Sequence, residues 1–434
     1  MNAPMKTRPL NLLFATWEGG GSVPPVLTAA EKMIARGHRV RIMSEACNRP
    51  EVEAVGARFV GWTRAPSRPD KSRDNDVTRD WEAVGPEGFV RLAETIMSGP
   101  ALAYARDLRD ELEREPADLV ISSEMLLGVL AGCEAMGQPA VVLTTQIWAF
   151  PIAGAPPFGA GMPPAADEAG RAALAEVQGF VRSLFDRGLP ALNAARAELG
   201  LGPLETVSDQ LGAARALLVG TSEAFDFPWT DRPAAVRYVG PQISDPPWAG
   251  DWTSPWAEDD PRPLVLVGFS STFQDHVALL QRVLDALSGL DVRVVLTTGE
   301  AVTPGELSAP ANAVVVRRAP HVRIMRQASL VATHGGHGTV IRALAQGLPQ
   351  LVIPLGRDQN DNATRVAARG AGLRLDASAS TDEIRAAARR LLDDPAFAEA
   401  ARRLGRVIAE DAAAPTLEEE LEAVAVSAVA VTPA

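Results

Sequence analysis

The sequence predicts an α/β fold built as two domains, on three observations. Short apolar strand patterns alternate with amphipathic helical ones in both halves, as expected of parallel sheets covered by helices. At 434 residues the chain is too long for one ordinary core. Between the halves lies a stretch, 226–262, rich in Pro, Trp and Asp and poor in contiguous apolar runs. The expected organisation is a first domain over 1–225, a connection over 226–262, a second domain over 263–395 and terminal helices over 396–434.

In the first half, Leu10 to Thr16 reads as a buried strand and Trp17 to Ser22 as a flexible turn. Val23-Pro24-Pro25 opens a helix that runs to Arg36, since proline fits a first helical turn, and Gly37 ends it. His38 to Met43 and Ala57 to Trp62 are the next strands, with His38 expected at a strand edge near solvent. Residues 63–84 are polar and charged, the composition of a mobile surface loop. Helices follow to about Glu115. Asp118 to Ser123 is a strand that places Glu124 at its C-terminal end, the edge where open parallel sheets hold ligands. A helix from Met125 to Met136 and a strand from Ala140 to Thr145 precede the Pro/Gly-rich segment 146–166. That segment carries Trp148, Phe150, Phe158 and Met162, either as a packed loop or as an apolar wall for a flat organic molecule. One long helix, Leu174 to Leu199, and a closing segment, Ala213 to Thr221, complete this half.

Gly19-Gly20-Gly21 is no dinucleotide fingerprint, because Pro24 and Pro25 stand where that pattern needs its further glycine spacing. The formal net charge of −12 argues against nucleic acid or an anionic membrane as partner. Two cysteines, Cys47 and Cys133, without a CxxC pair, fit a reduced cytoplasmic protein rather than a disulfide or zinc scaffold. Lys6 and Arg8 before Leu10 to Ala15 superficially suggest a leader, but the apolar run is too short, and no run reaches membrane-spanning length.

The second half starts with a strand, Pro263 to Phe269. Ser270, Ser271 and Thr272 follow at a strand–helix junction, where hydroxyls either cap the helix or meet a phosphate. Val292 to Thr298 is a strand. Ser329 to Thr333 is another; it leads through His334-Gly335-Gly336-His337-Gly338 into helical spacing from Thr339 to Gln346, stopped by Gly347-Leu348-Pro349. Gln350 to Pro354 is the next strand. Glycines therefore sit where a strand ends and a helix begins. There the free N–H groups and the positive end of the helix dipole suit an anionic phosphate.

Within residues 332–372 the chain carries His334, Gly336, Gly338, Thr339, Gly347, Pro349, Pro354, Asp358, Gln359, Asn362, Ala363, Gly370 and Gly372. This set resembles the donor-binding motif of the GT-B nucleotide-sugar glycosyltransferases that use UDP- and dTDP-sugars, the natural-product enzymes among them. The resemblance implies two Rossmann-like domains facing a central cleft, with the donor on the second domain, the acceptor on the first, and the chain end packed back on the first. His334, Gly336, Gly338 and Thr339 would hold the diphosphate, with His337 lining the site. Ser271 and Thr272 would face the reacting centre. His321 and Val322 lie in the segment that positions the nucleotide base, although His321 also fits a plain helix start. Asp358 and Gln359 would take sugar hydroxyls. Trp17, Trp148 and Phe150 would line the acceptor pocket.

Two departures from the family pattern carry information. Many members have Glu eight residues after the motif histidine, gripping the ribose hydroxyls; this chain has Arg342, which cannot accept those bonds. A deoxyribose has one hydroxyl fewer, so a dTDP-sugar is the expected donor. In the first loop, where the family has a histidine that activates the acceptor, this chain has Ser22, and a serine is no general base near neutral pH. Glu18 and Glu124 are then the acidic candidates, unless the acceptor is a phenol that needs little help.

The expected activity is transfer of a sugar, with inversion, from a dTDP or UDP donor to an apolar phenolic or polyketide acceptor. No metal and no cofactor beyond the sugar nucleotide are expected, and a homodimer is allowed. The rival readings are a nucleotide-sugar epimerase of the same fold and a non-catalytic nucleotide-binding partner protein.

Overall fold

A computed structural model describes residues 8–83, 85–152, 154–244, 252–300 and 302–429, with side chains as far as residue 427. Lys6 and residues 245–251 of the expected connection lie outside the described residues. The first half runs β1 (Asn11–Ala15), α1 (Val23–Ala35), β2 (Arg39–Ser44), α2 (Arg49–Ala54), β3 (Arg58–Gly61), α3 (Glu87–Leu92), α4 (Ala101–Arg114), β4 (Leu119–Ser122), α5 (Leu127–Met136), β5 (Ala140–Thr144), α6 (Glu168–Asp186), α7 (Leu189–Glu198), β6 (Leu217–Val219) and β7 (Val236–Tyr238). The second runs β8 (Leu264–Gly268), α8 (Val277–Ser288), β9 (Arg293–Thr297), β10 (Ala313–Val316), α9 (His321–Met325), β11 (Leu330–Thr333), α10 (His337–Ala345), β12 (Gln350–Val352), α11 (Gln359–Ala368), β13 (Gly372–Arg374), α12 (Thr381–Asp393), α13 (Pro395–Ala413) and α14 (Thr416–Val429).

Both sheets are parallel throughout. The first is ordered β3-β2-β1-β4-β5-β6-β7 and the second β10-β9-β8-β11-β12-β13. β4, β5, β8 and β11 are buried along their whole length, as sheets covered on both faces require. In each sheet the winding reverses once, between β1 and β4 and between β8 and β11. Such switch points open a crevice at the carboxyl ends of the strands. The loops after β1 and β4 and those after β8 and β11 all line one cavity, so the two crevices face each other.

The last described helix, α14, packs on the first domain. Leu417, Leu421, Val424 and Ala425 of α14 are buried in one cluster with Leu10, Leu12, Phe14, Val26 and Leu27. Each fully buried leucine contributes roughly 1.5–3 kcal/mol to that docking. Glu422 adds a two-pronged contact, accepting Arg36 Nε at 2.7 Å and Arg36 Nη2 at 2.8 Å.

Four elements differ from the sequence reading. β7 lies inside the stretch assigned to the connection and pairs with β6 as the last strand of the first sheet. The single helix expected over 174–199 is two, because Pro190 in the first turn of α7 has no N–H to continue α6. His38 is buried, not near solvent: its Nδ1 accepts the Leu10 N–H at 3.1 Å and its Nε2 meets Glu422 at 2.9 Å. Segment 63–83 is packed rather than a loose surface loop. Arg68, Asp76 and Thr78 are buried, and Arg68 donates to Glu45 at 3.0 Å and to the Glu18 carbonyl at 2.6 Å.

Candidate active site

The facing crevices enclose a cavity of about 920 Å³. Its second-domain wall is made by the turns after β8, β11 and β12. Gly335 holds φ at +95°, and a Cβ there would lie 2.8 Å from Val352 Cγ1, so only glycine makes the turn from β11 to α10. The imidazole of His334 lies against Phe269, ring centres 5.9 Å apart. Burial, reinforced by nearby His276 and Arg357, pushes the His334 imidazole down to about 3, so it is neutral at physiological pH, with its one N–H directed at the Gly268 carbonyl. α10 begins beside it at His337. The N–H groups of Thr339 and Val340 turn back to the Gly336 carbonyl at 3.0 and 3.1 Å, while Gly338 lies in the first turn, where an amide has no partner within the helix.

His337 points away from solvent. Its Nε2 meets Thr221 Oγ1 of the first domain at 2.8 Å, and burial pushes it too down to about 3. Asp358 and Gln359 stand where β12 passes into α11. Asp358 Oδ2 accepts the His337 N–H at 3.3 Å and Asn362 Nδ2 at 2.7 Å, and burial raises its carboxyl above the ordinary range. Gln359 is buried; its Oε1 accepts the N–H groups of Leu355 and Gly356 at 2.7 and 3.1 Å, and its Nε2 donates to Gln274 at 2.9 Å.

Ser271 is exposed and Thr272 buried in the turn after β8. Gly20 of the first domain has φ +72°, and a Cβ on it would lie 2.7 Å from Ser271 Oγ, so the two domains touch here. His321 starts α9 with its Nε2 at 2.9 Å from Thr297 Oγ1, and it lines the cavity; Val322 follows it in α9. Arg342, on α10, lines the cavity as well.

On the first-domain wall the three acidic and hydroxyl candidates separate. Ser22 is spent on its own loop: its hydroxyl donates to the Trp17 carbonyl at 3.1 Å and accepts the Gly19 N–H at 3.2 Å. Glu18 is tied to Lys71 at 3.1 Å and to the Gly20 N–H at 2.7 Å. Glu124, at the end of β4, has only neutral partners, Ser123 Oγ at 3.1 Å and Gln146 Nε2 at 3.4 Å. Burial pushes its carboxyl up to about 7. A carboxyl with that value is half ionised near neutral pH and suited to take a proton.

The aromatic candidates separate as well. Trp17 lines the cavity. Trp148 and Phe150 do not: they are 3% and 1% exposed in the core of the first domain. There Trp148 Nε1 donates to the Phe150 carbonyl at 2.8 Å and Phe150 packs on Phe185. The apolar wall is supplied instead by Trp81, Phe89, Phe158, Phe180 and Leu184. Phe180 is 54% exposed on an otherwise ordinary amphipathic helix, a signal that exists in the structure and not in the spacing. Sequence reasoning also missed Asp80 and Arg357, which meet across the cavity. Arg357 directly precedes the motif residue Asp358 and was findable; nothing local marks Asp80. Among the described residues no cluster of three or more His, Cys, Asp or Glu is placed to hold a metal, and no helix is long and apolar enough to cross a membrane.

Two parallel-sheet domains with one cavity between their switch points define the GT-B class, and solved structures agree. The kitacinnamycin glycotransferase superposes with a TM-score of 0.72 at 22% identity, over 96% of this chain and 99% of that one. VinC, a glycosyltransferase solved in complex with dTDP, gives 0.66 at 19% identity over 97% and 100%. Residues 281–425 match the family described as erythromycin biosynthesis protein CIII-like, C-terminal domain. Over 404 residues, 91% of this chain and 94% of the other, the sequence is 32% identical to 4'-demethylrebeccamycin synthase of Lentzea aerocolonigenes. The chain belongs to the GT-B nucleotide-sugar glycosyltransferases of natural-product biosynthesis, and it is a glycosyltransferase.

Proposed function

We propose that this enzyme moves a sugar from a nucleoside diphosphate donor, dTDP in preference to UDP, to an apolar small molecule such as a phenolic or polyketide natural product. The acceptor atom attacks the anomeric carbon from the face opposite the diphosphate. The bond to the diphosphate breaks, the configuration inverts, and the acceptor proton passes to Glu124. His334 and the Gly338 amide stabilise the charge that grows on the departing phosphate. The step needs no cofactor beyond the sugar nucleotide.

One observation carries this reading. A single cavity is lined on one side by the glycine-rich turn at His334 and on the other by Glu124 among apolar side chains. The dTDP preference rests on Arg342, which has no acceptor to offer a second ribose hydroxyl. The test is incubation of the pure protein with matched dTDP- and UDP-sugars and a panel of phenolic and polyketide acceptors. Released nucleotide is measured, and the anomeric configuration of the product is read by NMR. Equal turnover with both nucleotides removes the donor preference, retention removes the direct displacement, and no nucleotide release with any acceptor removes the reading of substrate class.

A further inference from the structure

Much of the hydrogen-bonding capacity of the two residues expected to read the donor sugar is already taken by the protein. Both ends of the Gln359 amide are bonded to Leu355, Gly356 and Gln274. Asp358 Oδ2 is bonded to His337 and Asn362. The turn that presents them carries one more polar side chain to the cavity, Arg357. Its backbone holds φ at +56°, a left-handed conformation that a non-glycine residue adopts at a cost. Strain of this kind persists where the surroundings fix the side chain, and here they do. Arg357 Nε and Nη2 donate to the two oxygens of Asp80 at 2.7 and 2.9 Å, and Nη1 donates to Thr272 Oγ1 at 2.9 Å. Three of the five guanidinium N–H groups are thus used, and two have no partner among the described residues.

Asp80 belongs to the first domain, on the segment 63–83. It is held in place from both sides. Trp81 sets its edge on Phe273 of the second domain at 5.4 Å, and the Arg73 guanidinium lies 4.2 Å from the centre of the same ring. The side chains of Arg357 and Asp80 are only 27% and 17% exposed. Removing an ion pair from water costs about what the attraction returns, so stability alone is a weak reason for it.

We propose that Asp80 and Arg357 form a donor-sugar recognition pair that spans the cleft. A sugar hydroxyl or amino substituent donates to the Asp80 carboxylate, and a sugar oxygen accepts from the free N–H groups of Arg357. Part of the sugar specificity is then written on the acceptor-side domain, and the sugar site is complete only when the two domains meet. This rests on the donor reading given above.

The test uses D80N, which keeps the shape of the side chain, and R357G, which suits the positive φ and removes the guanidinium. Calorimetry measures binding of dTDP alone and of dTDP-sugars that differ at one hydroxyl. Steady-state kinetics give the donor KM, and melting curves confirm the fold. The expected result is dTDP affinity within about twofold of wild type and a donor KM raised about tenfold or more, with discrimination between the sugars flattened. Equal weakening of dTDP and dTDP-sugar overturns the proposal, because the pair then acts on the nucleotide or on the fold. Unchanged discrimination in both variants overturns it too. A wild-type protein that binds no dTDP would instead refute the donor reading.

Discussion

The carboxylate of Asp358 accepts the main-chain N–H of His337 at 3.3 Å, joining the turn that precedes α11 to the first residue of α10. A negative charge at that position complements the helix dipole. It also fills one of the first-turn amides of α10, so in the donor site proposed above a diphosphate would meet the Gly338 amide and the His334 ring. Replacing Asp358 by Ala is expected to leave the His337 amide and Asn362 short of an acceptor. The expected cost is roughly 1–3 kcal/mol of stability, with weaker dTDP-sugar binding. Urea denaturation and calorimetry on the same variant check both parts.

In the proposed mechanism the neutral His334 imidazole turns its one N–H from the Gly268 carbonyl to the leaving phosphate. H334A is expected to lose about a hundredfold in kcat, ~3 kcal/mol, with the fold intact. The same residue couples folding to pH. Its folded value, about 3, lies below its ordinary 6.5, so between these the unfolded chain binds the extra proton and stability falls as pH falls. Relative to H334N, the wild type is expected to lose about 1.4 kcal/mol per pH unit between pH 6 and 4. Denaturant midpoints at several pH values measure this.

Glu124 has the opposite sign. Its folded value, about 7, stands above its ordinary 4.5, so the folded state holds the proton and stability drops as pH rises through that window. E124Q is expected to melt above the wild type at pH 8 and to match it below pH 4.5. With Glu124 as the proposed base, activity is expected to run the other way: kcat/KM of the wild type rises through pH 7 as Glu124 ionises, and E124Q is about 10²–10⁴-fold slower with that rise gone. An unchanged pH–rate profile in E124Q would reassign the base.

The docking of α14 is apolar at its centre. L421A is expected to cost roughly 2–5 kcal/mol, because Leu421 is fully buried in one cluster with side chains of β1 and α1. The conservative L421M should recover most of it. Thermal unfolding of the two variants side by side is the measurement.

The glycine-rich wall of the cavity was legible because its determinants are local. A strand, a turn that only glycine can make at Gly335, and a helix start lie within a dozen residues, and each reads directly from residue type and spacing. The rest depends on contacts that spacing does not encode. Segment 63–83 has the composition of a loose loop, and its order comes partly from Asp80 meeting a residue 277 positions away. Trp148 and Phe150 have the same apolar character as Phe158 and Phe180; only packing assigns two to the core and two to the cavity wall. β7 is three residues long in a Pro-rich stretch, too short to show alternation, and it is a strand because β6 offers it an edge. Glu18 and Glu124 were equal candidates on paper; what distinguishes them is their contacts, Lys71 and the Gly20 N–H on Glu18 against neutral partners on Glu124.

Since α14 is built into the first domain, the polypeptide passes from one half to the other and returns. A hybrid enzyme that grafts this second domain onto the first domain of a relative must therefore take α14 from the parent of the first domain. A swap at one junction near residue 240 would press a foreign helix onto β1 and α1, and the hybrid would fail through mismatch there, whatever the quality of its new active site.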